Sequence, residues 1–184
     1  MLAPAQFKES VDAATVAASW RDVLEPLHIN TRCQPISDGG EGFLDVFLHA
    51  GGKEVLIPTV NALGDPIQAS YVLKDAVAYV EMARASGLEH LEKRDPLKSS
   101  TYGTGLLIRH ALENGAGKIV VGMGGSATND GGMGVFKAMG GKVIKNDHEI
   151  EWLSEIDATC TLDTTGLPTK FPLIVGAADV QNPL

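Results

Sequence analysis

Cysteine is scarce in this chain: Cys33 and Cys160 are the only two, and they form no Cys-x-x-Cys. Reduced thiols and a cytoplasmic location are therefore the expectation. No apolar run approaches membrane-spanning length. The first residues carry neither the basic nor the apolar region of a signal peptide. Lysine and arginine form no block, and the formal net charge is −8, which disfavours nucleic acid or an anionic membrane as the main partner. Backbone amides and Mg²⁺ can still supply a local positive field for a phosphate. The pattern Gly-x-x-x-x-Gly-Lys-Ser/Thr is absent, so this is not a P-loop protein. No internal repeat or low-complexity linker is visible.

What is present suits a packed domain. Hydrophobic residues make up 44% of the 184 residues and charged residues 21%, which allows a real core and excludes disorder. The length fits one sizeable domain or a large part of a two-domain protein.

The most informative stretch lies at 120–134. Residues 118–121 are β-branched and predict a buried strand. Gly122, Gly124, Gly125, Ser126, Thr128, Asn129 and Asp130 follow. From Gly132 on, Val135, Phe136 and Met139 stand at helical spacing. A strand, a glycine-rich loop and a helix N-terminus make an anion site, because free N–H groups and the helix dipole point into the loop. A tight turn without a ligand would need fewer glycines. Two readings of the loop compete. Gly122-Met123-Gly124-Gly125-Ser126-Ala127 matches the dinucleotide fingerprint with alanine in the last place, although Asp130 would crowd a bare pyrophosphate. The alternative is a phosphoryl-transfer site, where hydroxyls, an amide and a carboxylate organise phosphate, metal and acceptor.

Other loops carry the same residue types. Ser10 is a plausible N-cap for a helix with Val11, Ala14, Ala17, Trp20, Val23, Leu24 and Leu27 on one face. Residues 34–36 predict the end of a strand. Ser37, Asp38, Gly39, Gly40, Glu41 and Gly42 then form a second open loop before a helix carrying Phe43, Leu44, Phe47 and Leu48. Asp38 and Glu41 at that helix start are also explained by capping alone. Strands are predicted at 54–60, 69–73 and 76–82. Glu81 sits near the end of the last, an unusual acid for a central strand. A short helix over 83–91 is interrupted at Gly87. Ser99, Ser100, Thr101, Gly103, Thr104 and Gly105 precede a helix over 106–113, with Gly115 as its C-terminal stop. Residues 142–144 predict a strand and 146–162 a connection. A last buried strand is predicted at 173–178, running into Asp179. Alternating strands and helices indicate a layered α/β/α fold with a mostly parallel sheet. The acids and hydroxyls at the strand ends, Asp38, Glu81, Asp130 and Asp179 among them, are expected to converge on one crevice.

Several stretches together resemble the bacterial type I glycerate kinase family. They are Phe7-Lys8-Glu9-Ser10, Ser37-Asp38-Gly39-Gly40-Glu41-Gly42, Val80-Glu81-Met82-Ala83 with Ala85-Ser86-Gly87-Leu88, and Ser100-Thr101-Tyr102-Gly103-Thr104-Gly105. The run Gly124-Gly125-Ser126-Ala127-Thr128-Asn129-Asp130-Gly131-Gly132 and the ending Asp179-Val180-Gln181-Asn182-Pro183-Leu184 complete the series in order. The resemblance implies ATP- and Mg²⁺-dependent phosphorylation of glycerate to 2-phosphoglycerate, in a cleft of a two-domain α/β enzyme. It implies catalytic or metal-binding roles for Asp38, Asp130 and Asp179. Lys8, Ser37, Gly39, Gly40, Glu41, Glu81, Thr101, Gly103, Gly124, Gly125, Ser126, Thr128, Asn129 and Asn182 become candidates for substrate or phosphate binding. Two departures stand out. Ala5 and Gln6 replace the family's Asp-Ser before Phe-Lys, and the family is considerably longer. The chain therefore reads as an N-terminal portion, with two incompletely represented lobes meeting near 83–100. Such a portion is expected to lack turnover alone and to self-associate. A non-catalytic remnant that binds ligand or partner is the alternative, and a dinucleotide-dependent oxidoreductase a weaker one.

Overall fold

The computed structural model describes residues 1–7 and 10–179. Five strands form the main sheet in the order β1-β2-β3-β4-β8: β1 (Lys53–Val60), β2 (Pro66–Lys74), β3 (Val77–Glu81), β4 (Lys118–Gly122) and β8 (Leu173–Ala177). The β1–β2 and β2–β3 pairs are antiparallel, and the β3–β4 and β4–β8 pairs are parallel. The parallel half brings the carboxyl ends of β3, β4 and β8 to one edge. This is the layered α/β fold that the alternation of elements predicts, with two of the four strand pairs in the main sheet parallel.

Strand alternation sorts the side chains onto two faces. Val80, Ile119 and Val121 join Leu107, Ile108 and Ala111 of α4 (Tyr102–Glu113) in the larger core. Tyr79 and Val120 face the other way, onto Phe43 and Leu44 of α2 (Phe43–His49). There the Phe47 and Tyr79 rings stack at 3.5 Å between centroids. Short α3 (Ala83–Ser86) follows β3, and α5 (Met133–Ala138) lies beside α4. Gly105 lets α5 approach closely, since a Cβ there would sit 2.8 Å from the Cα of Val135.

Several boundaries differ from expectation. The first helix, α1 (Ala13–Leu24), is capped by Asp12, whose Oδ1 accepts the Thr15 N–H at 2.8 Å; Ser10 is not the cap. Residues 34–36 join no sheet. Gln34 and Ile36 donate to the carbonyls of Leu2 and Pro4, but Pro4 and Pro35 lack the N–H groups a continuous ladder needs. Helix α4 starts at Tyr102, four residues before the predicted 106. The expected connection at 146–162 holds β6 (His148–Glu149) and the first residues of β7 (Thr161–Asp163). These pair with β5 (Lys142–Lys145) in a second, antiparallel sheet. Strand β8 is not buried: among the described residues it lies at the end of the sheet, and Leu173 is 63% exposed.

Candidate active site

Three strand ends and two glycine-rich loops meet at the carboxyl edge. The loop at 37–42 leads into α2 on one face of the sheet. The loop at 123–132 leaves β4 and leads into α5 on the other. They touch at their glycines: the Gly124 N–H donates to the Gly39 carbonyl at 3.0 Å, and a Cβ on Gly124 would lie 2.5 Å from the Cα of Gly40. From there the longer loop crosses the strand ends. The Ala127 N–H donates to the Ser86 carbonyl at 2.8 Å, and Ser126 bridges Gly87.

Both loops contain Asp-Gly-Gly, and both aspartates make the same local turn. Asp38 Oδ1 accepts the Gly40 N–H at 2.9 Å, and Asp130 Oδ1 accepts the Gly132 N–H at 3.1 Å. Both helices then start from a left-handed glycine, Gly42 at φ +79° and Gly132 at φ +81°, with no side-chain cap at that position. Each start is served instead by a buried acid. Glu81 Oε2 accepts the Leu44 N–H of α2 at 3.1 Å. Asp130 Oδ2 accepts the Gly134 N–H of α5 at 2.9 Å. The anion at the α5 N-terminus is thus the protein's own carboxylate.

The surroundings of the two aspartates differ. Asp130 is only 3% exposed, and its Oδ2 also accepts the Thr101 N–H at 2.8 Å and the Thr101 hydroxyl at 2.9 Å. Asp38 is exposed, and among the described residues its Oδ2 receives no donor. Glu81 is 1% exposed and 3.6 Å from the Arg84 guanidinium. Burial pushes its carboxyl above the ordinary glutamate value, against the opposing Leu44 N–H and Arg84. Arg84, also near Asp45 at 3.5 Å, was not singled out from the sequence; an arginine three residues after a buried acid in a βα turn was the available signal.

A cavity of about 750 Å³ opens beside α4 and the β4–β8 face. Ser126, Thr128, Asn129, Asp130, Thr101 and Thr104 form its polar lining; Met82, Ile108, Val121 and Ile174 are among the apolar residues. Of the four acids expected at one crevice, Asp130 lines this cavity, and among the described residues Asp38, Glu81 and Asp179 do not. Asp179 is exposed beyond β8. Ser37 closes its own turn by accepting the Gly39 N–H at 3.2 Å. Glu41 stands near Gly125, whose added Cβ would lie 3.7 Å from the Glu41 Cγ. Gly103 is a packing position, because a Cβ there would run into the Val60 carbonyl. Lys8 and Asn182 lie outside the described residues.

The serine and threonine hydroxyls of the 99–104 cluster all have protein partners. Thr101 Oγ1 also accepts the Val135 N–H at 3.0 Å. Thr104 meets Ser86 at 2.8 Å, Ser99 donates to the Pro96 carbonyl, and Ser100 accepts the Tyr102 N–H. Ser126 and Thr128 meet each other at 2.7 Å on the cavity wall. Helix α5 begins only at Met133, ten residues after Met123, which departs from the immediate strand–turn–helix of a dinucleotide loop.

The glycerate kinase family pattern matches residues 1–184. The chain is 39% identical to a glycerate kinase of Halalkalibacterium halodurans and covers 51% of that protein with its full length. It is 38% identical to the glycerate 2-kinase of Escherichia coli, with the same coverage of 100% and 51%. A crystal structure described as glycerate kinase 2 from Salmonella typhimurium superposes with a TM-score of 0.88 at 37% identity, over 98% of this chain and 51% of that one. The chain therefore spans about half the length of the relatives it matches. With the specific glycine-rich run lining the cavity and the match extending from first residue to last, the chain belongs to the glycerate kinase family.

Proposed function

We propose that this chain carries the phosphate- and acceptor-positioning part of a glycerate kinase, which transfers the γ-phosphoryl group of ATP to glycerate and yields 2-phosphoglycerate. The observation that carries the reading is the family's 124–132 run, stretched from the Asp38 turn to a 750 Å³ cavity. In the reaction the glycerate 2-hydroxyl oxygen bonds to phosphorus, the bond to ADP breaks, and the hydroxyl proton passes to a base. Phosphoryl transfer rests mainly on positioning and charge stabilisation. The Ser126 and Thr128 hydroxyls and the Asn129 amide suit phosphate or carboxylate oxygens. Gly124 and Gly125 let the backbone come close. Ser37, Gly39, Gly40 and Glu41 shape the adjoining turn. Lys8 would offset phosphate charge, Asp179 adds a carboxylate just beyond β8, and Asn182 remains a candidate by its place in the family motif.

The described residues hold no group of three histidine, cysteine or acidic side chains arranged for a metal. Mg²⁺ in kinases needs fewer: one or two carboxylates, with phosphate oxygens and water. Asp38, with an exposed carboxylate and one oxygen lacking a donor, fits that demand. When bound, Mg²⁺ would neutralise charge on the transferred group. A cytoplasmic location goes with this reading; among the described residues no helix is long and apolar enough to cross a membrane.

The test is a coupled assay with ATP, Mg²⁺ and D-glycerate on the 184-residue chain and on a version extended to the relatives' length. Glycerate-dependent ADP release by the extended protein, with nucleotide binding but little turnover by the short one, is expected. Ligand binding with no turnover in either would favour the non-catalytic reading. Binding of NAD in preference to ATP would favour the oxidoreductase.

A further inference from the structure

We infer that Asp130 is a positioning residue, not a reacting group: its carboxylate clamps the N-termini of α4 and α5 together and thereby sets where Ser126, Thr128 and Asn129 stand in the cavity. This rests on the phosphoryl-transfer reading for its purpose, but the clamp itself is geometric. Asp130 is buried, and its two oxygens accept three backbone N–H groups, from Thr101, Gly132 and Gly134, and the Thr101 hydroxyl. The last donor closes a ring, because Thr101 Oγ1 accepts the Val135 N–H in the first turn of α5. Both helix starts are thus joined through one carboxylate and one hydroxyl.

The Oδ2 oxygen, with three donors, has no lone pair left for a substrate proton or a metal without breaking bonds inside the protein, and Oδ1 is already turned to the Gly132 N–H in a side chain that is only 3% exposed. Charge-assisted bonds of this kind are the strong ones, and in a buried site losing one leaves a polar group unpaired. The close approach of the two helices depends on the same place: a Cβ on Gly134 would meet the Tyr102 backbone nitrogen and the Ser100 hydroxyl. The Ser126–Asn129 segment is then fixed at both ends, by the Ser86 carbonyl through Ala127 and by the Asp130 clamp. Of the two Asp-Gly-Gly aspartates, Asp38 holds no second helix and keeps an oxygen without a protein donor among the described residues.

The experiment compares Asp130→Asn, Thr101→Val, Thr101→Ser, Asp38→Asn and the double variant Asp130→Asn/Thr101→Val in the full 184-residue chain. Residue-resolved amide exchange is the first readout. Asp130→Asn should speed exchange at Thr101, Gly132 and Gly134 about tenfold or more, the consequence of opening a clamp whose bonds are each worth about a factor of ten. Asp38→Asn should leave those amides unchanged. Thr101→Val should release Val135, and Thr101→Ser should restore it. Unchanged exchange in Asp130→Asn would overturn the clamp. If Asp130→Asn does not fold, the Thr101 pair decides the same question, and equal Val135 exchange in the valine and serine variants would overturn it.

Mg²⁺-ATP affinity by calorimetry is the second readout. Asp130→Asn and Thr101→Val should weaken it by similar factors, the double variant should be no weaker than either single, as for two members of one network, and Thr101→Ser should match the parent. Loss of the Mg²⁺ dependence in Asp130→Asn alone, with Thr101→Val keeping it, would make Asp130 a metal ligand and end the positioning role. A parent chain that binds no ATP would count against the kinase reading and not against the clamp, which the exchange data judge separately.

Discussion

The two faces of the sheet solve the same local problem with the same residues and use the result differently. On the α2 side, Asp38 turns the backbone at Gly40 and stays at the surface, while the buried acid that holds the helix start, Glu81, comes from a strand 37 residues further along the chain. On the α5 side, Asp130 does both jobs, turning the backbone at Gly132 and holding Gly134, and reaches Thr101 as well. An aspartate relieved of the structural task keeps an oxygen for solvent or ligand. One that performs the task has an oxygen fully engaged by backbone and hydroxyl donors. Two acidic turns alike in sequence therefore differ in what their carboxylates have left to offer.

The sharpest way to break this comparison is at the glycines that let the loops meet their neighbours. Gly134→Ala would drive a methyl into the α4 backbone, and Gly39→Ala would place one 2.5 Å from the Ala177 carbonyl. Each should cost about 3 kcal/mol or more, since overpacking against backbone finds little relief. Urea unfolding measures this; a loss under about 1 kcal/mol at either position would mean the loops are looser than described.

Removing the acids comes next. Asp130→Ala leaves buried N–H groups without a partner and should lower stability by about 2–4 kcal/mol, whereas Asp38→Ala removes one bond at the surface and should lower it by about 1 kcal/mol or less. Equal losses would erase the distinction between the turns. Activity should rank the other way per unit of stability: in an extended, active protein Asp38→Ala should nearly abolish turnover while Tm moves little.

A smaller effect concerns pH. Burial raises the folded-state pKa of Glu81 above its ordinary value of 4.5. Its protonated form is thus favoured by folding, a contribution complete below 4.5 and lost as pH rises through the folded pKa. Glu81→Gln should therefore gain stability relative to the parent as pH is raised across that window. Denaturant midpoints taken from pH 4 to 8, as a difference between the two proteins, check the sign; a difference that shrinks with rising pH would contradict it. Last and smallest, Ser126→Ala with Thr128→Ala should weaken nucleotide or glycerate binding with little change in Tm, and unchanged affinity in the extended protein would remove the cavity wall from the site.

Local pattern alone determined much of this molecule. The β-branched run 118–121 became β4, the interruption at Gly87 separates α3 from the turn after it, and Gly115 ends α4 with a left-handed backbone. Those features depend on neighbours a few residues away, where spacing and φ preferences act directly. The family-specific loops were legible for the same reason. Tertiary structure decided what sequence spacing does not encode: that α2 and α5 lie on opposite faces, and that 142–163 folds into its own small sheet. It also decided the fate of each acid and hydroxyl. A carboxylate is available or engaged according to which N–H groups the fold aims at it, and the donors that engage Asp130 include one 29 residues away in the chain.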